Sequence, residues 1–179
     1  MNHQILTRTI QNLIDSNSFL TTIESCTGGL IAHLVTDVPG TSNVFWGGRV
    51  VYNNSAKIAL GVSPDLLETY GAVSQEVALS LAENGLFELQ KFSNQDNRLI
   101  CIATTGIADP REESSQKLGG LCWIGIASTA HPPFAVRVEA SPHHSREETK
   151  LEFAMKAFEL IKESLELNVN YVTLGRMKL

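Results

Sequence analysis

The chain has 179 residues, of which 43% are hydrophobic and 18% charged, and its formal net charge is −5. This composition is typical of one globular domain with a single core. The negative balance argues against a nucleic-acid-binding protein, which needs a basic surface to displace counterions. Because no apolar run could cross a bilayer and residues 1–9 are too polar for a signal peptide, we expect no membrane association and a cytoplasmic location.

Three cysteines stand at wide spacing, Cys26, Cys101 and Cys122. Their number is odd and none belongs to a Cys-x-x-Cys pair, so the pattern predicts neither a disulfide framework nor a zinc site. Cys101 and Cys122 lie in apolar, strand-like segments, where a free cysteine usually packs as a small hydrophobic residue. We therefore expect no metal at the cysteines.

The first part of the chain predicts a helix, a strand and a second helix. Apolar residues recur at helical spacing over 5–14 and again over 30–35, whereas the β-branched and aromatic segment 19–23 is typical of a strand. Ser25 therefore lies in a strand-to-helix turn that spans residues 24–29.

The turn 24–29 has the sequence Glu-Ser-Cys-Thr-Gly-Gly. The first N–H groups of a helix have no partner within the helix, so such a turn can bind an oxyanion or a phosphate without a charged side chain. Gly28 and Gly29 allow another group to approach closely. The alternative is an ordinary helix cap, in which Ser25 or Thr27 accepts from backbone N–H groups. The turn alone leaves both interpretations open.

The rest of the chain alternates between strand-like and helical patterns. The predicted elements are a strand over 44–52, short helices between Asn53 and Gly61 and from Ser63-Pro64 onward, a long helix from Ser74 to about Phe92, strands over 98–103, 121–128 and 134–139, and a helix over 146–166. The last two strands flank Pro132-Pro133 and predict a hairpin.

Helices before, between and after about five strands predict an α/β fold, a three-layer α/β/α sandwich with a mixed, mostly parallel sheet. We expect one domain over 1–166, followed by a tail over 167–179. Within the tail, residues 171–174 suit an edge strand, and a tail without regular structure is the alternative.

A serine in a turn becomes a nucleophile only when a base takes its proton. The histidines suggest no obvious base, because His33 falls within the second helix and His143 and His144, at the start of the last helix, suit a structural or anion-binding role. Lys57 has apolar neighbours, and partial burial would lower its pKa and supply a neutral amine. The alternative for Lys57 is an ordinary lysine whose amine reaches solvent.

Several motifs, in order and at matching spacing, resemble those of the CinA C-terminal domain family, the nicotinamide-nucleotide amidases. They cover about residues 5–165 and are Glu-Ser-Cys-Thr-Gly-Gly at 24–29, Val-Pro-Gly-Thr-Ser at 38–42, Gly-Arg-Val-Val-Tyr-Asn-Asn-Ser-Ala-Lys at 48–57, Leu-Gly-Val at 60–62, Gly-Ala-Val-Ser at 71–74 and Gly-Ile-Ala at 106–108.

This resemblance implies a hydrolase that converts nicotinamide mononucleotide to nicotinic acid mononucleotide and ammonia, with a Ser/Lys pair and without a metal or other cofactor. On this chain Ser25 would attack the carboxamide carbon. Lys57 would take the serine proton and later return one to the leaving ammonia. Tyr52 would orient Lys57 or relay a proton.

The resemblance also assigns residues to the oxyanion and to the substrate, a small-molecule nucleotide. The N–H groups of Cys26 and Thr27 would be oxyanion donors. Arg146 and Lys150 would bind the phosphate. Gly28, Thr105 and Gly106 complete the expected site. We further expect a homo-oligomer, of an order that the residues do not indicate.

The chain departs from the family pattern after Gly106. Family members usually have Ser-Gly-Ile-Ala-Gly-Pro, whereas this chain has Asp109 in place of the second glycine and continues with Glu112 and Glu113. A carboxylate at this position would repel a phosphate, and a residue other than glycine would be strained at positive φ. Our hypothesis is amidase chemistry with an altered substrate pocket.

Two alternatives remain open at this point. An inactive family member could keep the fold and act as a ligand-binding or regulatory module, which the Asp109 substitution favours and the joint presence of Ser25, Tyr52 and Lys57 opposes. Cys26 could instead be the nucleophile, because a thiol at a helix N-terminus can have a lowered pKa.

Overall fold

The structure, a computed structural model, describes residues 3–93, 97–111 and 119–167. These residues form six α-helices and five strands in the order α1 His3–Asp15, β1 Ser18–Glu24, α2 Leu30–Thr36, β2 Phe45–Val50, α3 Asn54–Leu60, α4 Pro64–Tyr70, α5 Gln75–Gln90, β3 Arg98–Gly106, β4 Leu121–Ser128, β5 Phe134–Glu139 and α6 Arg146–Glu166, with a short 3-10 helix, Thr41–Asn43, before β2. The tail beyond 167, with the segment 171–174, lies outside the described residues.

The five strands form one sheet in the order β2-β1-β3-β4-β5. Strand β1 pairs in parallel with β2 and β3, while β4 is antiparallel to both β3 and β5. Four strands therefore run in one direction and β4 runs against them, which confirms the predicted mixed sheet. The short connection through Pro132-Pro133 permits only an antiparallel hairpin between β4 and β5.

Helices cover both faces of the sheet. Helices α1, α2 and α6 pack against one face, and α3, α4 and α5 contribute to the core on the other face. Strand β3 contributes side chains to both cores, because successive side chains along a strand point to opposite faces of the sheet. Ile100 and Ile102 point into the first core, and Cys101 and Ala103 point into the second. None of the described helices is long and apolar enough to cross a membrane.

Two of the differences from the predicted strand boundaries shape the site. Strand β3 continues beyond Ala103 to Gly106, because its backbone stays paired with β4 as far as the Gly106 and Cys122 register pair. Strand β2 ends at Val50, where the Val51 N–H makes the last bond to β1, to the Glu24 carbonyl across 2.7 Å, and the chain then turns into α3.

Gly48 of β2 marks a close approach between strands. A Cβ atom at Gly48 would lie 2.2 Å from the Thr22 hydroxyl oxygen of β1, which no side chain could tolerate. Beside it the register between β1 and β2 shifts, between Leu20 and Thr21. The glycine therefore keeps β2 close to β1, and the carboxyl ends of β1, β2 and β3 meet at one edge of the sheet, where ligands bind in α/β proteins.

Candidate active site

Ser25 and Lys57 meet at this edge. Ser25 directly follows β1, and Lys57 lies on α3, which begins shortly after β2. The Nζ atom of Lys57 is 3.1 Å from the Oγ atom of Ser25, and the two residues are only 2% and 5% exposed. Burial lowers the pKa of the Lys57 ammonium group, because it disfavours the charged form, and the nearby Cys26 thiol opposes this shift.

Two backbone carbonyls complete the surroundings of the Lys57 amine. Its Nζ donates to the carbonyl oxygens of Val51 and Tyr52, each across 3.0 Å. A neutral amine has two protons and one lone pair. When both protons point to these carbonyls, the lone pair remains for the third neighbour, the Ser25 hydroxyl. The geometry therefore suits a neutral lysine that accepts the Ser25 proton.

Tyr52 contacts Lys57 through its backbone and not through its ring. Its side chain is largely exposed, at 61%, and its hydroxyl accepts a hydrogen bond from Arg146 Nη2 across 3.0 Å. The expected orienting contact is thus made by the carbonyl group. No contact between the Tyr52 hydroxyl and Lys57 occurs among the described residues, so a proton relay through the phenol has no support in this geometry.

The N-terminus of α2 is already occupied by a buried carboxylate. Glu24, fully buried, accepts from the N–H groups of Gly29, Ile31 and Ala32 at 2.9, 3.1 and 2.8 Å. The prediction that these first helical N–H groups bind an oxyanion or phosphate is therefore wrong. The capping interpretation named the wrong residues, because neither Ser25 nor Thr27 accepts from these N–H groups and the Glu24 carboxylate does.

Two N–H groups of the turn remain for an oxyanion. Those of Cys26 and Thr27 make no hydrogen bond within 3–93, 97–111 and 119–167. The next residue, Gly28, has φ +66° and its N–H donates to the Ser25 carbonyl. A Cβ atom at Gly28 would lie 3.3 Å from Lys150 Nζ, so the absence of a side chain leaves room for the lysine beside the turn.

The thiol of Cys26 points into the core. Cys26 is 4% exposed, and its Sγ lies 3.6 Å from that of Cys122. Burial, followed by the contact with Cys26, raises the pKa of the Cys122 thiol. This position favours Ser25, whose hydroxyl meets the amine, over Cys26 as the nucleophile. Cys101 and Cys122 are fully buried, as predicted.

Thr104 and Thr105 lie on opposite faces of β3. The Thr105 hydroxyl donates to the Ala72 carbonyl across 2.6 Å and so supports the loop before α5. The Thr104 hydroxyl accepts from the Ser25 N–H at 3.4 Å and lies 2.9 Å from the Thr27 hydroxyl. Gly106 is required by packing, since a Cβ there would lie 2.4 Å from the Leu121 carbonyl oxygen.

The sequence analysis missed the contributions of Glu24 and Thr104. Glu24 stood within the recognised motif, but its partners lie in the following helix, and Thr104 is 79 residues from Ser25. Strand alternation could have separated Thr104 from Thr105. The register between β1 and β3 decides whether Thr104 or Thr105 points toward the turn, and the sequence does not contain this register.

Positive charge borders the site on the side of α6. Arg146 and Lys150 lie one turn apart at the start of this helix, Arg146 against the Tyr52 hydroxyl and Lys150 beside Gly28. The structure thus brings Lys150 close to the turn that carries Ser25, and Arg146 close to the residue whose carbonyl holds Lys57.

Asp109 is paired within its own loop. Its carboxylate accepts from the Arg111 N–H at 3.0 Å and from Arg111 Nε at 3.2 Å, and these bonds, with the more distant charge of Arg146, lower the Asp109 pKa. Among the described non-glycine residues only Asn17 has positive φ, so the anticipated backbone strain at Asp109 is absent. Glu112 and Glu113 lie outside the described residues.

The described residues contain no group of three or more His, Cys, Asp or Glu side chains that could hold a metal ion. The groups present at the site are a hydroxyl, a buried amine, two free backbone N–H groups and two basic side chains. This set can activate a nucleophile and stabilise an oxyanion, which are the requirements of acyl transfer.

Comparison with known sequences gives one consistent result. A family model described as the CinA C-terminal domain matches residues 2–165. A CinA-like protein of Chlorobium phaeovibrioides is 44% identical over 146 residues, which cover 79% of this chain and 32% of that protein. A CinA-like protein of Chlorobaculum tepidum is 41% identical over 149 residues, covering 81% and 33%. The chain thus spans about a third of the length of these relatives.

Solved structures agree in fold. The competence/damage inducible protein CihA of Agrobacterium tumefaciens superposes with a TM-score of 0.80 at 32% identity, over 92% of this chain and 94% of that one. A CinA superfamily protein of Klebsiella pneumoniae gives a TM-score of 0.82 at 24% identity, over 92% and 97%, which is a likeness of fold alone.

Proposed function

The chain belongs to the CinA C-terminal domain family, and from this premise we propose that it is a serine amidohydrolase that deamidates nicotinamide mononucleotide in the salvage of pyridine nucleotides. The main support for the proposal is the environment of the Lys57 amine. Two backbone carbonyls accept its protons, and its lone pair is directed to the Ser25 hydroxyl. A buried lysine with a lowered pKa beside a serine is an uncommon arrangement unless it activates that serine.

The proposed reaction has two steps. The Ser25 oxygen attacks the carboxamide carbon as its proton moves to Lys57, and the N–H groups of Cys26 and Thr27 stabilise the oxyanion. Lys57 returns the proton to the departing nitrogen, so ammonia leaves and an ester with Ser25 remains. Water, deprotonated by Lys57, then attacks the ester and releases the carboxylic acid and the serine hydroxyl.

The phosphate of the substrate would bind at Arg146 and Lys150. The occupied N-terminus of α2 supports this assignment, because Glu24 leaves its helical N–H groups without capacity for an anion. Arg146 can offer two parallel N–H groups to a phosphate, and Lys150 adds a point charge. The contact between Arg146 and Tyr52 would hold the guanidinium at the entrance.

The direct test is ammonia release from nicotinamide mononucleotide. We expect the wild-type protein to release ammonia, and Ser25→Ala and Lys57→Ala each to lose at least about 1,000-fold in rate. Lys156→Ala is the matched control, since this lysine is paired with Glu159 on the surface of α6. A wild-type protein without activity, or a Ser25→Ala variant that keeps it, would refute the proposal.

A second candidate is a ligand-binding or regulatory module without catalysis. It is favoured by the Asp109 loop, where a carboxylate that interacts with Arg146 replaces the glycine usual in the family. This candidate predicts calorimetrically detectable binding of the nucleotide with no ammonia release. It also predicts that Lys57→Ala leaves the affinity for nucleotide unchanged.

A further inference from the structure

A continuous chain of hydrogen bonds links the nucleophile's backbone to a buried carboxylate. The N–H of Ser25 donates to the Thr104 hydroxyl at 3.4 Å, the hydroxyls of Thr104 and Thr27 are 2.9 Å apart, and the Thr27 hydroxyl donates to Glu24 Oε2 at 2.7 Å. Thr104, Thr27 and Glu24 are each fully buried. Three separate side chains thus join the end of β1 to β3 beneath the turn.

The direction of every bond in this chain follows from proton counting. Three of the four partners of Glu24 are backbone N–H groups, which can only donate, so the carboxylate acts as acceptor throughout. The Thr27 hydroxyl therefore donates its single proton to Glu24. The proton between the two threonines must come from Thr104, whose oxygen in turn accepts from Ser25.

The turn has few other anchors. Pairing of β1 with β3 ends at Ile23, and the last backbone bond to β2 is the one from the Val51 N–H to the Glu24 carbonyl. Beyond Glu24, the backbone bonds of residues 25–28 are those from Gly28 to the Ser25 carbonyl and from Leu30 to the Thr27 carbonyl. Neither bond ties the turn to the rest of the sheet. The chain through Thr104 does so, and it leaves the N–H groups of Cys26 and Thr27 free.

We infer that Glu24, Thr27 and Thr104 form a positioning chain that sets the backbone of Ser25, so that its hydroxyl stays on the Lys57 amine. This inference rests on the proposed function, because it assumes that Ser25 is the nucleophile. None of the three side chains needs to touch the substrate. They are positioning residues, and their loss should slow the chemical step and leave substrate binding nearly intact.

Thr104 offers the sharpest set of variants. Thr104→Val removes the hydroxyl at almost constant shape, leaving the Ser25 N–H without its acceptor, whereas Thr104→Ser keeps the hydroxyl. Thr22→Val is the matched control, because Thr22 is a fully buried β1 threonine whose hydroxyl has no hydrogen-bond partner in the described part of the chain. Thr27→Val breaks the same chain at its next member.

The test measures the rate at which an alkyl fluorophosphonate labels Ser25 in the full chain, and mass spectrometry of the labelled peptide confirms the position of the label. The values of kcat and KM for ammonia release are measured on the same variants. We expect Thr104→Val to label at least about 10-fold more slowly and to lose a similar factor in kcat, with KM within about threefold of wild type. Thr104→Ser and Thr22→Val should each stay within about threefold of wild type.

The outcomes separate the inference from the proposed function. Labelling of wild type without ammonia release refutes the substrate assignment and leaves the positioning role testable by labelling. A wild type that does not label refutes both. Wild-type labelling rates in Thr104→Val, or a Thr104→Ser variant as slow as Thr104→Val, overturn the positioning role. Should Thr104→Val lose its far-UV circular dichroism, Thr27→Val is judged by the same criteria.

Discussion

Lys57 and Ser25 share one hydrogen bond, 3.1 Å long, between two side chains that are both almost completely buried. Because the same amine also donates to two carbonyls, its protonation state decides what the serine can do. A neutral Lys57 accepts the serine proton, and a protonated Lys57 cannot. The first prediction concerns this equilibrium.

The rate should depend on the pH through Lys57. Burial lowers the pKa of its ammonium group, so the base form persists to a lower pH than for an ordinary lysine, and kcat/KM should rise with pH through the lowered pKa. The measurement is a profile of kcat/KM from about pH 5 to about pH 10. Lys57→Arg, whose guanidinium stays charged, should be inactive over the whole range. A flat profile would contradict a catalytic amine.

The same shift predicts a pH-dependent stability. Because the folded protein holds Lys57 at a lowered pKa, the unfolded chain binds more protons between that pKa and the ordinary value of 10.5, and stability rises with pH in this window. Relative to Lys57→Met, the wild type should therefore gain free energy of unfolding as pH rises from about 7 to about 10. Urea unfolding of both proteins at each pH measures the difference, and a constant difference would count against the shift.

Arg146 should contribute to binding more than to chemistry. Loss of a guanidinium bond to a phosphate costs about 1.5 to 3 kcal/mol, so Arg146→Ala should raise KM for nicotinamide mononucleotide by about 10- to 100-fold with little change in kcat. Arg137→Ala, a surface arginine paired with Glu139, is the control.

The phosphate dependence of this effect can be checked directly. Nicotinamide riboside lacks the phosphate, so Arg146→Ala should change its kcat/KM by no more than about threefold. An equal loss with both substrates would mean that Arg146 supports the site in another way, through its bond to Tyr52.

Removal of the Asp109 charge should improve activity on the nucleotide. The carboxylate interacts with Arg146, so Asp109→Gly should raise kcat/KM, by no more than about fivefold because exposed charges interact weakly in water. Asp109→Asn separates charge from shape, and an equal gain in both variants would identify the charge as the cause. A loss in Asp109→Gly would show instead that the Asp109 bonds to Arg111 help to form the site.

Replacement of Cys26 should distinguish the two candidate nucleophiles. Its thiol packs against Cys122 and its backbone N–H survives substitution, so Cys26→Ala should still release ammonia, within about 10-fold of wild type, and should lose about 1 kcal/mol of unfolding free energy. Loss of activity as complete as that of Ser25→Ala would favour the thiol. Chemical unfolding of the same variant measures the loss of unfolding free energy.

Much of the fold was predictable because its signals are local. Helical and strand periodicity located β1, α3 and α6, and the structure adds that α6 begins with the reciprocal bonds of Ser145 and Glu148. The extension of β3 through Thr104 to Gly106 was missed, since it depends on pairing with β4 and not on the apolarity of those residues.

By itself, the sequence determined the family, the order of the elements, the turn that carries Ser25 and the apolar surroundings of Lys57. Only the tertiary structure decided which groups meet, because hydrogen-bond partners that are 32 and 79 residues from Ser25 are brought together by strand order and register. The same register directs Thr104 to the turn and Thr105 away from it. It also leaves the Tyr52 carbonyl, and not its hydroxyl, on the lysine.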